Sequence, residues 1–171
     1  LNYYRDELEE KDNFLLYYAG HGVLNDETGV GYWQPIEAEP DNDVDWIEND
    51  RITRTLYSLD SQNVLVIADS CYSGVMLRGP SLRSDTNSEN SLRRMLEQRT
   101  RVAITSGGEE PVADIIGGSK HSVFANALAD ALSSRMTPTL ARELFSMVQS
   151  VTIEKTELVG VEQTPQYAPV P

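Results

Sequence analysis

Two side chains in this sequence are of the kinds that attack and protonate an acyl group, and each stands at the end of an apolar run. Cys71 lies in Asp69-Ser70-Cys71-Tyr72-Ser73-Gly74 after Val64-Leu65-Val66-Ile67-Ala68, and His21 lies in Tyr18-Ala19-Gly20-His21-Gly22 after Phe14-Leu15-Leu16-Tyr17. A thiol attacks a carbonyl carbon as thiolate, and an unperturbed cysteine, with a pKa near ~8.5, is mostly protonated at neutral pH. It needs a base or cation beside it, and His21 is the natural candidate. Cys71 is the only cysteine, so the sequence offers neither an internal disulfide nor an all-cysteine metal site. The Tyr-Ser-Gly that follows it reads as a turn, which favours a place on a rim over a buried filler role.

The elements that must position these residues follow from the apolar pattern. Phe14 to Ala19 and Asn63 to Ala68 are continuous apolar runs, as expected of strands covered on both faces in a parallel sheet. Parallel strands bring their C-terminal ends to one rim, where open α/β sheets keep their chemistry. A short polar helix over Tyr3 to Glu10 precedes the first strand, and Val23 to Asp50 reads as a long polar excursion. A helix capped by Asn49 or Asp50, with Ile52, Leu56 and Leu59 on one face, then completes a strand–helix–strand crossover. Arg101 to Thr105 is a third strand ending in Ser106-Gly107-Gly108. Two amphipathic helices follow. The first, from about Ser122 to Leu132, turns Val123, Phe124, Ala127, Leu128, Ala131 and Leu132 inward; the second starts at Thr137-Pro138 and buries Leu140, Leu144, Met147, Val148 and Val151. Gln163 to Pro171 is a last, proline-bounded edge strand. If Phe14 to Ala19 lies at a sheet edge, so hydrophobic an edge calls for a cover. Strand 101–105 is one candidate, and a preceding segment or separate fragment of the same protein is the better one.

Composition narrows the function classes. The 171 residues, 40% hydrophobic and 24% charged, suit a single globular domain with a real core. A formal net charge of −13 disfavours a grip on nucleic-acid phosphates or anionic lipid and suits a cationic peptide partner. No apolar stretch approaches the ~18 residues a membrane helix needs, and no basic-then-apolar leader opens the sequence, although a missing leader says little about compartment; a cytoplasmic location is the expectation. Asp41-Asn42-Asp43-Val44-Asp45 resembles the opening of a calcium loop, but Trp46 and Ile52 occupy the positions of its glycine and bidentate glutamate. An acidic solvated loop is expected there, with no metal or other cofactor. A serine-hydrolase elbow, Gly-x-Ser-x-Gly, is not present.

Taken together, Ala-Gly-His-Gly after one strand, Asp-Ser-Cys-Tyr-Ser-Gly after another, Ile104-Thr105-Ser106-Gly107-Gly108-Glu109-Glu110-Pro111 and His121-Ser122-Val123-Phe124 resemble the caspase-like cysteine peptidases of clan CD, in the metacaspase and bacterial caspase-like branch of peptidase family C14. The likeness runs from about Phe14 to Phe145. It implies an α/β fold, a three-layer α/β/α sandwich around a mainly parallel sheet, with the strand and helices that open the family's fold missing from this chain. It implies a thiol protease in which Cys71 is the nucleophile, His21 the general acid/base, and the backbone N–H groups of Gly22 and Cys71 the oxyanion donors. The Gln-Ala-Cys-Arg-Gly box of animal caspases is replaced here by Asp69-Ser70-Cys71. Asp69 matches the carboxylate that reads a basic residue in metacaspases, with Glu110, or Glu109, adding to the same pocket. Electrostatics agrees: a carboxylate at the pocket floor pairs with guanidinium or ammonium and repels an aspartate substrate. Asp69 as a plain turn cap is the structural alternative. His121 is expected at a helix entry. Calcium activation, known in some metacaspases, has no motif here.

Cleavage after Arg or Lys would make the chain its own substrate. Residues 78–92 are expected to form an exposed flexible loop, and Arg78, Arg83, Arg93 and Arg94 in or beside it are candidate self-cleavage sites, with Leu1 a candidate processed terminus. The leading expectation is an endopeptidase acting through a thioester on protein or peptide substrates with basic residues. A catalytically silent caspase-like module that binds a partner or senses a signal is the alternative.

Overall fold

The computed structural model of the chain describes residues 1–77, 100–108, 120–134 and 139–170. Residues 78–92, the four candidate cleavage arginines, Glu109, Glu110 and the Thr137-Pro138 helix start lie outside the described residues.

A four-stranded sheet forms the middle layer. Its order is β1 (Asn13–Ala19), β5 (Asn63–Asp69), β6 (Thr100–Thr105) and β7 (Gln166–Pro169). β1 runs parallel to β5 and β5 parallel to β6, while β7 closes the far side antiparallel to β6. The crossover expected between the first two strands is therefore present, with α2 (Asn49–Tyr57) as its helix, though its N-cap is Glu48, without a side-chain cap bond, rather than Asn49 or Asp50, which lie inside the first turn. The sheet is an α/β sandwich because alternate side chains leave its two faces equally apolar. Val64, Val66, Ala68 and Ala103 point to one side and pack with Ile52, Leu56 and Leu59 of the α2 segment and with Trp33. Ile67 and Ile104 point to the other and pack with α3 (Val123–Ser133) through Phe124, Ala127, Leu128 and Ala131, and with α4 (Ala141–Glu157) through Leu144 and Val148. Inside α4 the fully buried Thr152 and Thr156 hydroxyls donate to the carbonyls of Val148 and Thr152, so their burial leaves no donor unmade. Arg101 donates from β6 to the Leu56 and Leu59 carbonyls, closing the C-terminal end of α2.

Four expectations are corrected. The segment from Val23 to Asp50 is not a plain excursion: β2 (His21–Asn25), β3 (Val30–Gln34) and β4 (Ile47–Glu48) form a small antiparallel sheet. The signal was local, since Asn25 Oδ1 accepts from the N–H groups of Glu27 and Thr28, and Gly29 takes a positive φ of 69°, a tight hairpin turn. β1 is not covered on both faces; it alternates, with Leu15 60% and Tyr17 47% exposed, because they share a face with Ile67 but lie outside the cluster that α3 and α4 form over β5 and β6, and strand 100–105 lies beside β5 rather than β1. The first helix, α1 (Asn2–Glu7), stops short of Glu10. Leu132 and Leu140 are half exposed rather than core: Leu132 falls on the outer side of α3, and Leu140 is the N-cap of α4. Asp43–Asp45 forms a single 3-10 turn capped by the Asn42 side chain. Within the expected 163–171 tail, Gln166–Pro169 forms the edge strand.

Candidate active site

Cys71 is held by the turn that follows β5, and that turn is stitched to the loop after β6. Ser70 N–H donates to Ser106 Oγ at 3.1 Å while that hydroxyl donates back to the Ser70 carbonyl at 3.3 Å. Gly74 N–H donates to the Gly108 carbonyl at 3.0 Å, and Gln163, buried, donates to the Ser106 carbonyl at 2.8 Å. The approach is close enough that a Cβ on Gly74 would sit 2.6 Å from Gly108 Cα, which only glycine avoids. Between these anchors Tyr72 adopts φ 57°, a left-handed conformation that costs a non-glycine residue of order ~1 kcal/mol and is kept only where the surroundings impose it. Cys71 thus sits at a sharp reversal braced on both sides, and it is partly exposed.

His21 stands at the mouth of the neighbouring strand. β1 ends in register with β5, Ala19 opposite Asp69, and Gly20 N–H donates to the Asp69 carbonyl. The chain then turns into β2, so His21 is delivered beside the turn that bears Cys71. Gly22 is the point of contact: a Cβ there would run into the Cys71 carbonyl oxygen and lie 2.5 Å from Ser70 Oγ. Tyr18 fixes the bend. Its single hydroxyl proton is shared between the His21 carbonyl at 2.8 Å and the Gln34 carbonyl at 3.0 Å, and its ring stacks flat on Trp33 at 4.1 Å. Burial pushes the Tyr18 phenol pKa above its ordinary value.

Asp69 is buried at the end of β5, on the face that looks toward α3. One of its carboxylate oxygens accepts from the Ser122 hydroxyl at 2.5 Å, and its negative charge, after burial, raises the pKa of the Tyr17 phenol. Asp69 and Ser122 share an open cleft of about 210 Å³ with Ala19, Gly20 and His21. Of the sequence candidates, the structure brings His21, Gly22, Asp69 and Cys71 to one rim; Glu110 and the arginines lie outside the described residues. His121 is exposed at the entry to α3, its carbonyl accepting from the Asn126 side chain. The sequence assigns no site role to Tyr18, Ser106, Ser122 or Gln163. Only Ser122 carried a usable signal, a serine directly before an apolar helical run.

The chain also resembles known proteins. A family model described as the caspase domain of peptidase family C14 matches residues 2–170. No curated protein matches the chain. Among solved structures, the crystal structure of protein GSU0716 from Geobacter sulfurreducens superposes with a TM-score of 0.58 at 16% identity, covering 99% of this chain and 71% of that one, a likeness of fold.

Proposed function

The chain belongs to the caspase domain family of peptidases, and from that premise we propose that it is a cysteine endopeptidase that cuts after arginine or lysine. The observation that carries this reading is the packing of Gly22 against the Cys71 carbonyl, with buried Asp69 opening into the same cleft as His21. The Cys71 thiolate adds to the carbonyl carbon on the acyl side of the scissile bond. The oxyanion that forms faces the N–H groups of Gly22 and Cys71, where one well-placed donor contributes roughly 10²–10³ in rate. His21 gives a proton to the departing amine, the C–N bond breaks, and a thioester remains on Cys71. His21 then takes a proton from water, whose oxygen displaces the thiolate and releases the new carboxylate.

Asp69 supports the preference for basic residues. A buried carboxylate in the cleft pairs with guanidinium or ammonium and repels an aspartate side chain. The expected partners are proteins or peptides presenting Arg or Lys, and the reaction needs no metal or cofactor. Self-cleavage at Arg78, Arg83, Arg93 or Arg94 belongs to the same reading, and a preceding segment of the same protein is the cover we propose for the outer side of β1.

Fluorogenic peptides ending in Arg, Lys or Asp, offered to the wild type and to Cys71→Ala, test the proposal. Turnover after Arg and Lys that disappears in Cys71→Ala is expected. Absence of turnover on every peptide removes the enzyme reading and leaves a binding module; turnover only after Asp removes the role of Asp69. Intact-mass measurement of both proteins tests self-cleavage, since identical fragments from both would exclude it.

A further inference from the structure

Asp69 would be of little use as a selector if its carboxylate could swing, and a residue that holds it belongs to a different element. Ser122, the N-cap of α3, donates its hydroxyl proton to Asp69 Oδ2 at 2.5 Å, while its oxygen accepts the N–H of Ala125 at 2.8 Å. The second contact fixes the first: an oxygen already accepting from a backbone N–H directs its proton elsewhere, here to the carboxylate. α3 is itself immobilised, with Phe124 and Ala127 in the core, so the hydroxyl is a rigid reference point. Asp69 and Ser122 both line the cleft that His21 borders.

We propose that Ser122 is the positioning residue of the basic-residue site, setting the angle of the Asp69 carboxylate so that it meets a guanidinium in two-point fashion. The inference deepens the peptidase reading and rests on it. A planar fork depends on carboxylate orientation, whereas an ammonium is a point charge that tolerates a rotated partner. Removal of the hydroxyl therefore weakens arginine more than lysine, and leaves a neutral citrulline residue unaffected.

The test compares wild type, Ser122→Gly and Ser122→Thr on peptides differing only in a final Arg, Lys or citrulline. Glycine caps a helix within a few tenths of serine's contribution, so the helix survives while the hydroxyl is lost. Expected for Ser122→Gly are a roughly tenfold higher KM for the arginine peptide, a kcat within about twofold, and a reduced preference for Arg over Lys, with Ser122→Thr close to wild type. An unchanged KM, or an equal loss on all three peptides, overturns the proposal. If the wild type cleaves nothing, the peptidase reading falls, and calorimetric binding of the arginine peptide to Cys71→Ala and to Cys71→Ala/Ser122→Gly decides this inference alone. Weaker binding to the second supports it; equal or undetectable binding to both overturns it.

Discussion

Tyr18 shows how much of this site depends on a residue that takes no part in chemistry. Its hydroxyl bridges the carbonyls of His21 and Gln34 and its ring lies on Trp33, so it holds the bend that presents the imidazole. Tyr18→Phe keeps the stack and loses the bridge; we expect a stability loss of about 1 kcal/mol by urea unfolding and a kcat reduced about tenfold. Gly22 is less forgiving, because the group a methyl would meet is backbone rather than a flexible side chain. Gly22→Ala should cost about 1–3 kcal/mol and abolish measurable turnover, read from thermal unfolding and from peptide hydrolysis. A wild-type rate in Gly22→Ala would mean that His21 and Cys71 do not act together.

At the scale of elements, β1 offers a direct check on register. Leu15 and Leu16 are neighbours of identical chemistry, yet Leu16 packs against the core under α2 and Leu15 is mostly exposed. Leu16→Ala should cost roughly 2 kcal/mol or more and Leu15→Ala well under 1, measured by denaturant midpoint; equal costs would contradict the alternation. The same strand shows what a sequence can and cannot display. The strands at 13–19, 63–69 and 100–105 and the helix at 123–133 were legible because burial imposes apolar runs and helical periodicity. The two-sided burial assigned to β1 was not, because Leu15 and Tyr17 look like core residues until the neighbour on their side is known. The β2–β3 hairpin was hidden for the opposite reason: its strands are short and half polar, and its Asx turn competes for attention with the acidic run after it. His21, Gly22, Asp69 and Cys71 could be named from strand-end strings, whereas Ser122 and Gln163 reach the site from elements far along the chain, by tertiary contact alone.

For the molecule as a whole, the charge of −13 should act on encounter with a cationic substrate. We expect kcat/KM for arginine peptides to fall as NaCl is raised to 0.5 M, with little effect on citrulline analogues; a flat profile for both would exclude steering. Alkali acts through Tyr17, Tyr18 and Tyr167, each with its pKa raised above 10.0, first by burial, and for Tyr17 also by the charge of Asp69. The folded state holds these protons more tightly than the unfolded chain, so their contribution to stability is full below pH 10 and is lost as pH rises through the folded values. Urea midpoints followed alongside phenolate absorbance should decline together above that point. The brace around Cys71 carries a further consequence, for the order of synthesis. The turn bearing the thiol is secured by Ser106, Gly108 and Gln163, all made after it. In a nascent chain the brace around Cys71 therefore stays incomplete until Gln163, beyond α4, has been made, so the setting of this thiol is finished late in synthesis.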